Sequence, residues 1–415
     1  MHTVGGTKSA KSRLGNGWVG LVLCAGSLAW FGCGSDKDDG ADTEVDALKP
    51  AEPTQLLSYS CRQDAALEST PPGSGANLPK TFRQTQKLVG AAVNATGLDD
   101  PNYANTVATQ FSQLTPENEM KWEAIEPERD SFDFTRADKI VAFAQQNGLK
   151  VRGHTLVWHS QLAPWVNDLT GDDLRQAMLN HIRGVVTHYR ENFPGVVVAY
   201  DVVNEARDQV NGPMGGMPIY RDSIFYRELG ADFIPEAFQA ARDADPDALL
   251  FYNDFGVEGV NGAKSTGMFN MVSDMVAQGV PIDGVGLQMH TGPTDQGPGA
   301  ADFRANIQRY ADLGLKVDVT EMDVSLCSIG DNQLGRELQR YRYNRIVSAC
   351  FDSPACRSVS LWGVSDPNSW LNDNGCTQGM IQLDTVPAPL AFAGDFGRKP
   401  AWWGIYDGLA GCAYQ

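Results

Sequence analysis

Residues 196 to 206 read VVVAYDVVNEA. Valine dominates the run, and it ends in an amide and an acid, Asn204 and Glu205. A near-continuous apolar run of this kind suits a strand covered on both faces, as in a parallel sheet flanked by helices. Packing gives no reason for a carboxylate at the end of such a strand, because burying an unpaired charge is costly. Further along, residues 315 to 324 repeat the arrangement: LKVDVTEMDV places a second acid, Glu321, near the end of another buried run.

Outward from these two stretches, strand-like and helical segments alternate. The expected strands are Leu88–Val93, Gln113–Asn118, Lys150–Trp158, Val196–Asn204, Ala248–Asp254, Gly284–His290, Lys316–Thr320 and Ser358–Trp362. Helical periodicity marks Thr135–Gln146, where Ile140, Val141, Phe143 and Ala144 share one side and Asn147-Gly148 supplies the stop. Thr170-Gly-Asp-Asp173 resembles a capping box opening a helix that runs to about Arg190. Further helices are expected over Ile234–Asp243, Lys264–Gln278, Asp302–Leu313, Leu334–Cys350 and Pro400–Gly408, the last with Pro in its first turn. Eight βα units from residue 87 onward fit an α/β fold, a (β/α)8 TIM barrel forming a single catalytic domain over 81–415. A doubly wound open sheet is the alternative, but no Gly-rich dinucleotide fingerprint follows the first strand.

The 415 residues carry a net charge of -18, which argues against a nucleic-acid partner because phosphates would be repelled. Residues 1–33 read as a targeting segment: Lys8, Lys11 and Arg13 precede an apolar run from Trp18 to Phe31 that is short for a membrane span. The run closes on Cys33 and resembles a bacterial lipoprotein signal, although Trp30 and Phe31 occupy positions where Leu and a small residue are usual. Two fates follow, ordinary cleavage and secretion, or lipidation of Cys33 and anchoring at the outer cell surface. Residues 34–80 are acidic and then rich in Pro, Ser and Gly, the composition of a flexible tether.

In a barrel of this kind, chemistry gathers where strands end and βα loops begin. Here those positions carry Glu117, Asn118, Glu119 and Lys121; His154, Trp158, His159 and Gln161; Asp201, Asn204 and Glu205; Tyr252, Asn253 and Asp254; Gln288 and His290; Glu321 and Asp323; and Trp362 with Trp370 beyond it. One histidine or tryptophan on a strand is ordinary packing. Seven successive strands ending in amides, acids, His or Trp are not. Lys and Arg are almost absent from these ends, so Glu205 and Glu321 are expected to be reactive acids and not members of a buried ion pair. Two carboxyl groups facing one another are what glycosidic bond cleavage requires.

The segments TPENEMKWE, GHTLVWHSQ, YDVVNEA, FYNDF, GVGLQMH, VTEMDV and LWGVSD, in that order between Lys87 and Leu409, resemble the strand-end motifs of glycoside hydrolase family 10, the retaining endo-β-1,4-xylanases. The resemblance implies xylan and xylo-oligosaccharides as substrates. It makes Glu205 the general acid/base and Glu321 the nucleophile, about 5 Å apart, with net retention. It places Asn204 on the sugar 2-hydroxyl and His290 as a donor to Glu321, oriented by Asp323. Asp201 becomes network support. Glu117, Asn118, Lys121 and Gln161 supply donors and acceptors for xylose hydroxyls, and His154 contacts the sugar at the cleavage subsite. Trp158, Trp362 and Trp370 offer faces for pyranose rings. Gln288 bonds the sugar or steers Glu321, while His159, Tyr252, Asn253 and Asp254 are supporting residues. A β-glucanase on the same barrel and a non-catalytic xylan-binding protein are the rival readings.

No HExxH, zinc-like Cys–His spacing, P-loop or GxSxG appears, so no metal and no cofactor is expected. The chain is expected to act as a monomer, touching membrane only through a lipid on Cys33. If Cys24 and Cys33 are set aside, six of the eight cysteines remain. Cys350 and Cys356 are close enough for a local bridge, which the family often has. Cys327 with Cys376 could join loops over the active-site face, and Cys61 with Cys412 could tie the tether to the last helix.

Overall fold

Eight parallel strands close on themselves. They are β1 (Leu88–Val93), β2 (Gln113–Pro116), β3 (Lys150–Gly153), β4 (Val197–Asn204), β5 (Leu249–Asp254), β6 (Gly284–Leu287), β7 (Lys316–Val324) and β8 (Cys356–Leu361). Each pairs with the next, and β8 pairs with both β7 and β1. Closure leaves the barrel without an edge and rules out the open doubly wound sheet. The computed structural model describes residues 59–61, 87–208, 220–294, 297–373, 375–378 and 381–414. The proposed targeting segment with Cys33, and the tether apart from 59–61, lie outside the described residues.

The longer helices, one after each strand, are α1 (Pro101–Gln110), α2 (Thr135–Gln146), α3 (Gly171–Asn192), α4 (Phe233–Ala244), α5 (Ala263–Ala277), α6 (Ala300–Ala311), α7 (Gln333–Phe351) and α8 (Pro400–Leu409). Helix α2 has the bounds its periodicity predicts. Helix α1 was not expected, because only Tyr103, Thr106 and Val107 are buried on an otherwise polar segment. Its signal is the start: Asp100 accepts from the Asn102 N–H and Pro101 opens the first turn. The capping box at α3 is a correction. Thr170 sits at the N-cap without a side-chain cap bond, and Glu228 Oε2 accepts from Gly171 N at 3.2 Å instead.

Strand ends also differ from expectation. The ladders of β2, β3 and β6 stop at 116, 153 and 287, short of the predicted 118, 158 and 290, although Val157 beyond β3 still bridges Val203 on β4. β7 runs past Thr320 to Val324, since His290 and Thr291 pair alongside Asp323 and Val324. That pairing brings a histidine and an acid from neighbouring strands side by side.

Apolar side chains from both barrel wall and helices fill the core, but the barrel interior also holds charge. Arg152 on β3 is fully buried. Its Nε donates to Asp201 Oδ2 at 3.0 Å, its Nη2 bonds Asp201 Oδ1, and its Nη1 donates to Asp318 Oδ2 at 2.7 Å. Asp318 is also held by Arg357, and the Arg152 guanidinium lies 4.4 Å from the Phe251 ring centre. Arg152 lies ahead of the strand-end residues from which Lys and Arg were expected to be almost absent. A buried ion network is present, and it is built on Asp201 and Asp318 with Arg152 and Arg357.

Disulfides join Cys350 to Cys356 and Cys327 to Cys376. Tyr59–Cys61 pairs antiparallel with Cys412–Tyr414, which sets Cys61 opposite Cys412, and Cys412 is disulfide-bonded.

Candidate active site

A cleft of about 490 Å³ opens at the C-terminal ends of the strands. Glu117, Asn118, Lys121, His154, Trp158 and Gln161 line it together with Glu205, Gln288, His290, Glu321, Trp362 and Trp370. Phe255 and Asp373 also line it and were not anticipated. Phe255 is the last residue of the FYNDF segment, so membership of that motif was the available signal. Asp373 lies in a loop whose sequence carries none.

The two acids have separate environments. Glu205 closes β4 with φ 56°, in the left-handed region, and its N–H donates to Asn253 O at 2.8 Å. Its Oε1 accepts from Gln288 Nε2 at 2.9 Å and from Asn204 Nδ2 at 3.4 Å. The Gln288 side chain thus addresses Glu205, while its carbonyl accepts from the Glu321 N–H at 3.0 Å. Glu321 Oε1 accepts from Asn253 Nδ2 at 2.8 Å. Asn253 is held in turn: its Oδ1 accepts from Thr320 Oγ1 at 2.7 Å, and its Nδ2 reaches Asn204 Oδ1 at 3.0 Å. Asn253, read as a supporting residue, therefore touches Glu321 directly.

On the other oxygen of Glu321, His290 Nε2 lies at 3.3 Å. His290 Nδ1 is 2.8 Å from Asp323 Oδ2, which also accepts from Trp370 Nε1 at 2.9 Å. Burial alone would lower the His290 pKa; the charge and hydrogen bond of Asp323, reinforced by Glu321, lift it well above the ordinary value. As an imidazolium it donates to both acids.

Opposite, Lys121 Nζ donates to Asn118 Oδ1 at 2.9 Å and Gln161 Oε1 at 2.6 Å, 4.8 Å from the Trp158 ring centre. Burial pushes its pKa down against the pull of Glu321, Glu117 and Glu205. Burial likewise pushes Glu117 up, with Lys121 opposing. His154 Nδ1 is 2.9 Å from Asp201 Oδ2, and its ring meets Trp362 edge-on at 5.2 Å. Burial would raise Asp201, but Arg152 and His154 together hold it below the usual carboxylate value.

The remaining candidates lie beneath the cleft wall. Tyr252 donates to Asp254 Oδ2 at 2.6 Å, and Lys264 pairs with Asp254 at 2.6 Å. Burial raises Asp254 to about 6. His159 is partly buried against Trp158, and burial together with the Arg221 charge lowers it to about 4.

The sequence model of glycosyl hydrolase family 10 matches residues 77–408. The chain belongs to glycosyl hydrolase family 10. This family 10 chain is 40% identical over 311 residues to endo-1,4-beta-xylanase B of Thermotoga neapolitana, covering 74% of this chain and 84% of that protein. It is 36% identical over 330 residues to an endo-1,4-beta-xylanase of Agaricus bisporus, covering 79% and 92%. The crystal structure of xylanase 10B from Thermotoga petrophila RKU-1 in complex with xylobiose aligns with TM-score 0.71 at 35% identity, over 80% of this chain and 97% of that one. Family 10 membership agrees with a closed barrel whose polar residues collect at one mouth.

Proposed function

We propose that the chain is an endo-1,4-β-xylanase that hydrolyses internal linkages of xylan with net retention. The observation that carries this reading is that Glu205, directly after β4, and Glu321, on β7, line one cleft, each with its own donors. In the first step Glu321 attacks the anomeric carbon while Glu205 delivers its proton to the leaving glycosidic oxygen. The bond to that oxygen breaks, and a covalent glycosyl-enzyme forms on Glu321. Glu205, now bare, takes a proton from water, whose oxygen attacks the same carbon and restores Glu321. The xylobiose bound to the Thermotoga petrophila relative supports xylo-oligosaccharides as ligands of this cleft.

Asn204 bonds the 2-hydroxyl of the sugar being cleaved, while Trp362 and Trp370 pack on pyranose faces. Glu117, Asn118, Lys121 and Gln161 hold the neighbouring sugar through its hydroxyls. The basic residues Lys8, Lys11 and Arg13 ahead of the apolar run Trp18–Phe31 support export, ending either in secretion or in lipidation of Cys33; mass spectrometry of the mature N-terminus separates the two. The chain acts as a monomer.

NMR of xylan during digestion tests the central reading. Release of β-anomeric oligosaccharides from chain interiors is the expected result. Initial release of α-anomers, or faster turnover of carboxymethyl cellulose than of xylan, contradicts it.

A further inference from the structure

The backbone of Glu205 departs from the strand that leads to it. Its φ of 56° lies in a region that residues bearing side chains enter at a cost, and such a conformation persists only when its surroundings hold it. The N–H is taken by Asn253 O on β5. The carbonyl is taken by a side chain, since Arg221 Nε donates to Glu205 O at 2.8 Å. The Arg221 N–H donates to Ala206 O at 2.8 Å, and Arg221 Nη2 reaches Arg207 O at 3.5 Å. One residue therefore engages three successive carbonyls at and after Glu205.

Arg221 is itself confined. Its side chain is 19% exposed, its Nη1 lies 4.0 Å from Asp208 Oδ2, and its guanidinium lies 5.9 Å from the ring centre of Phe255 in the cleft wall. A backbone bridge between Arg207 and Tyr220 sits beside it. Among the described residues, Asp208, Glu205, Arg207 and His159 are charged or titratable groups close to it.

We propose that Arg221 is a positioning residue for the acid/base: its guanidinium holds the left-handed turn at Glu205 and so fixes the direction from which the proton reaches the leaving oxygen. The proposal rests on the reading of Glu205 as acid/base. An uncharged donor of the same length would hold the carbonyl less firmly, because hydrogen bonds from a cation are the stronger ones. Displacing a reacting group by about 1 Å costs on the order of 100-fold in rate.

The test compares Arg221→Met, Arg221→Lys and Glu205→Gln on two aryl β-xylobiosides, phenyl and 2,4-dinitrophenyl. The phenyl leaving group needs a proton and the dinitrophenyl group does not, so a misplaced acid slows only the first bond cleavage of the phenyl substrate. Arg221→Met is expected to lose about 10- to 100-fold in kcat/KM on the phenyl substrate and stay within about threefold on the other. Azide, as a nucleophile needing no base, should speed turnover of the dinitrophenyl substrate, and Arg221→Lys should recover part of the loss. Equal losses on both substrates in Arg221→Met, or none, with the split intact in Glu205→Gln, would overturn the role of Arg221 alone. Absence of the split in Glu205→Gln overturns the acid/base assignment beneath it. Melting curves of each variant separate these outcomes from a failure to fold.

Discussion

Asp323 Oδ2 lies 2.8 Å from His290 Nδ1, on the side of the ring turned away from Glu321. A carboxylate in that place favours the charged imidazole, so that below its raised pKa the far nitrogen offers a proton to Glu321. Trp370, donating to the same Oδ2 at 2.9 Å, ties a cleft-lining indole to this pair.

Asp323→Asn should lower kcat/KM on xylan by about 10- to 100-fold, the loss expected when a hydrogen bond to a charged group is weakened. Stability should change its pH dependence as well. The folded pKa of His290 exceeds its ordinary 6.5, so its contribution is complete below pH 6.5 and fades as pH rises through the higher folded value. In the variant that fading should move back toward pH 6.5. Urea denaturation at several pH values checks it, and an unshifted profile would count against an imidazolium at this site.

Asn253 supplies the shortest recorded donor to Glu321, at 2.8 Å. Asn253→Ala should therefore depress kcat more than it raises KM, by about 10-fold or more, because the bond acts on a reacting carboxylate and not on substrate. A methyl group on Gly286 would collide with the Asn253 amide and with Thr320. Gly286→Ala should reproduce the defect in milder form. Steady-state kinetics on xylotetraose measures both, and a pure KM effect would contradict the assignment.

Arg152→Met leaves Asp201 and Asp318 buried without their shared cation. The expected destabilisation is about 3–5 kcal/mol, the cost of breaking a buried pair from one side. The pH dependence should change too. Asp201 is held below its ordinary 3.8, so in the parent chain its contribution is present above pH 3.8 and is lost as pH falls through the lower folded value. The gap between parent and variant should therefore be full at pH 7 and narrow below pH 3.8. Chemical denaturation at pH 7 and near pH 3 reads both effects.

The two described disulfides should differ in worth. Cys327–Cys376 spans 49 residues and Cys350–Cys356 spans 6. Loop-closure entropy gives about 4 kcal/mol for the first and about 2 kcal/mol for the second. The double serine variant of the longer bridge should also raise KM, because the bridge joins the loop after Glu321 to the loop that carries Trp370. Melting temperatures and xylan kinetics of the two double variants test the ranking.

Much of this was legible beforehand because it is local. A valine run ending in Asn204-Glu205 states both a buried strand and a misplaced charge, and the helical stripe of 135–146 states its own bounds. Helix α1 escaped notice because its signal is a cap and not a stripe. Arg152 escaped because one cation among apolar neighbours says nothing of the two aspartates that meet it, on strands well separated in the chain.

The linear order of residues determined which side chains this protein could bring to chemistry: two glutamates, their amide neighbours, and tryptophans at strand ends. Their partnerships were decided only by closing the barrel. Gln288 serves Glu205, Asn253 serves Glu321, and Arg221 takes the Glu205 carbonyl. Hydrogen bonds reach only about 3 Å, so partners are chosen by the register of neighbouring strands and by the turn that follows them, neither of which is written in any one segment.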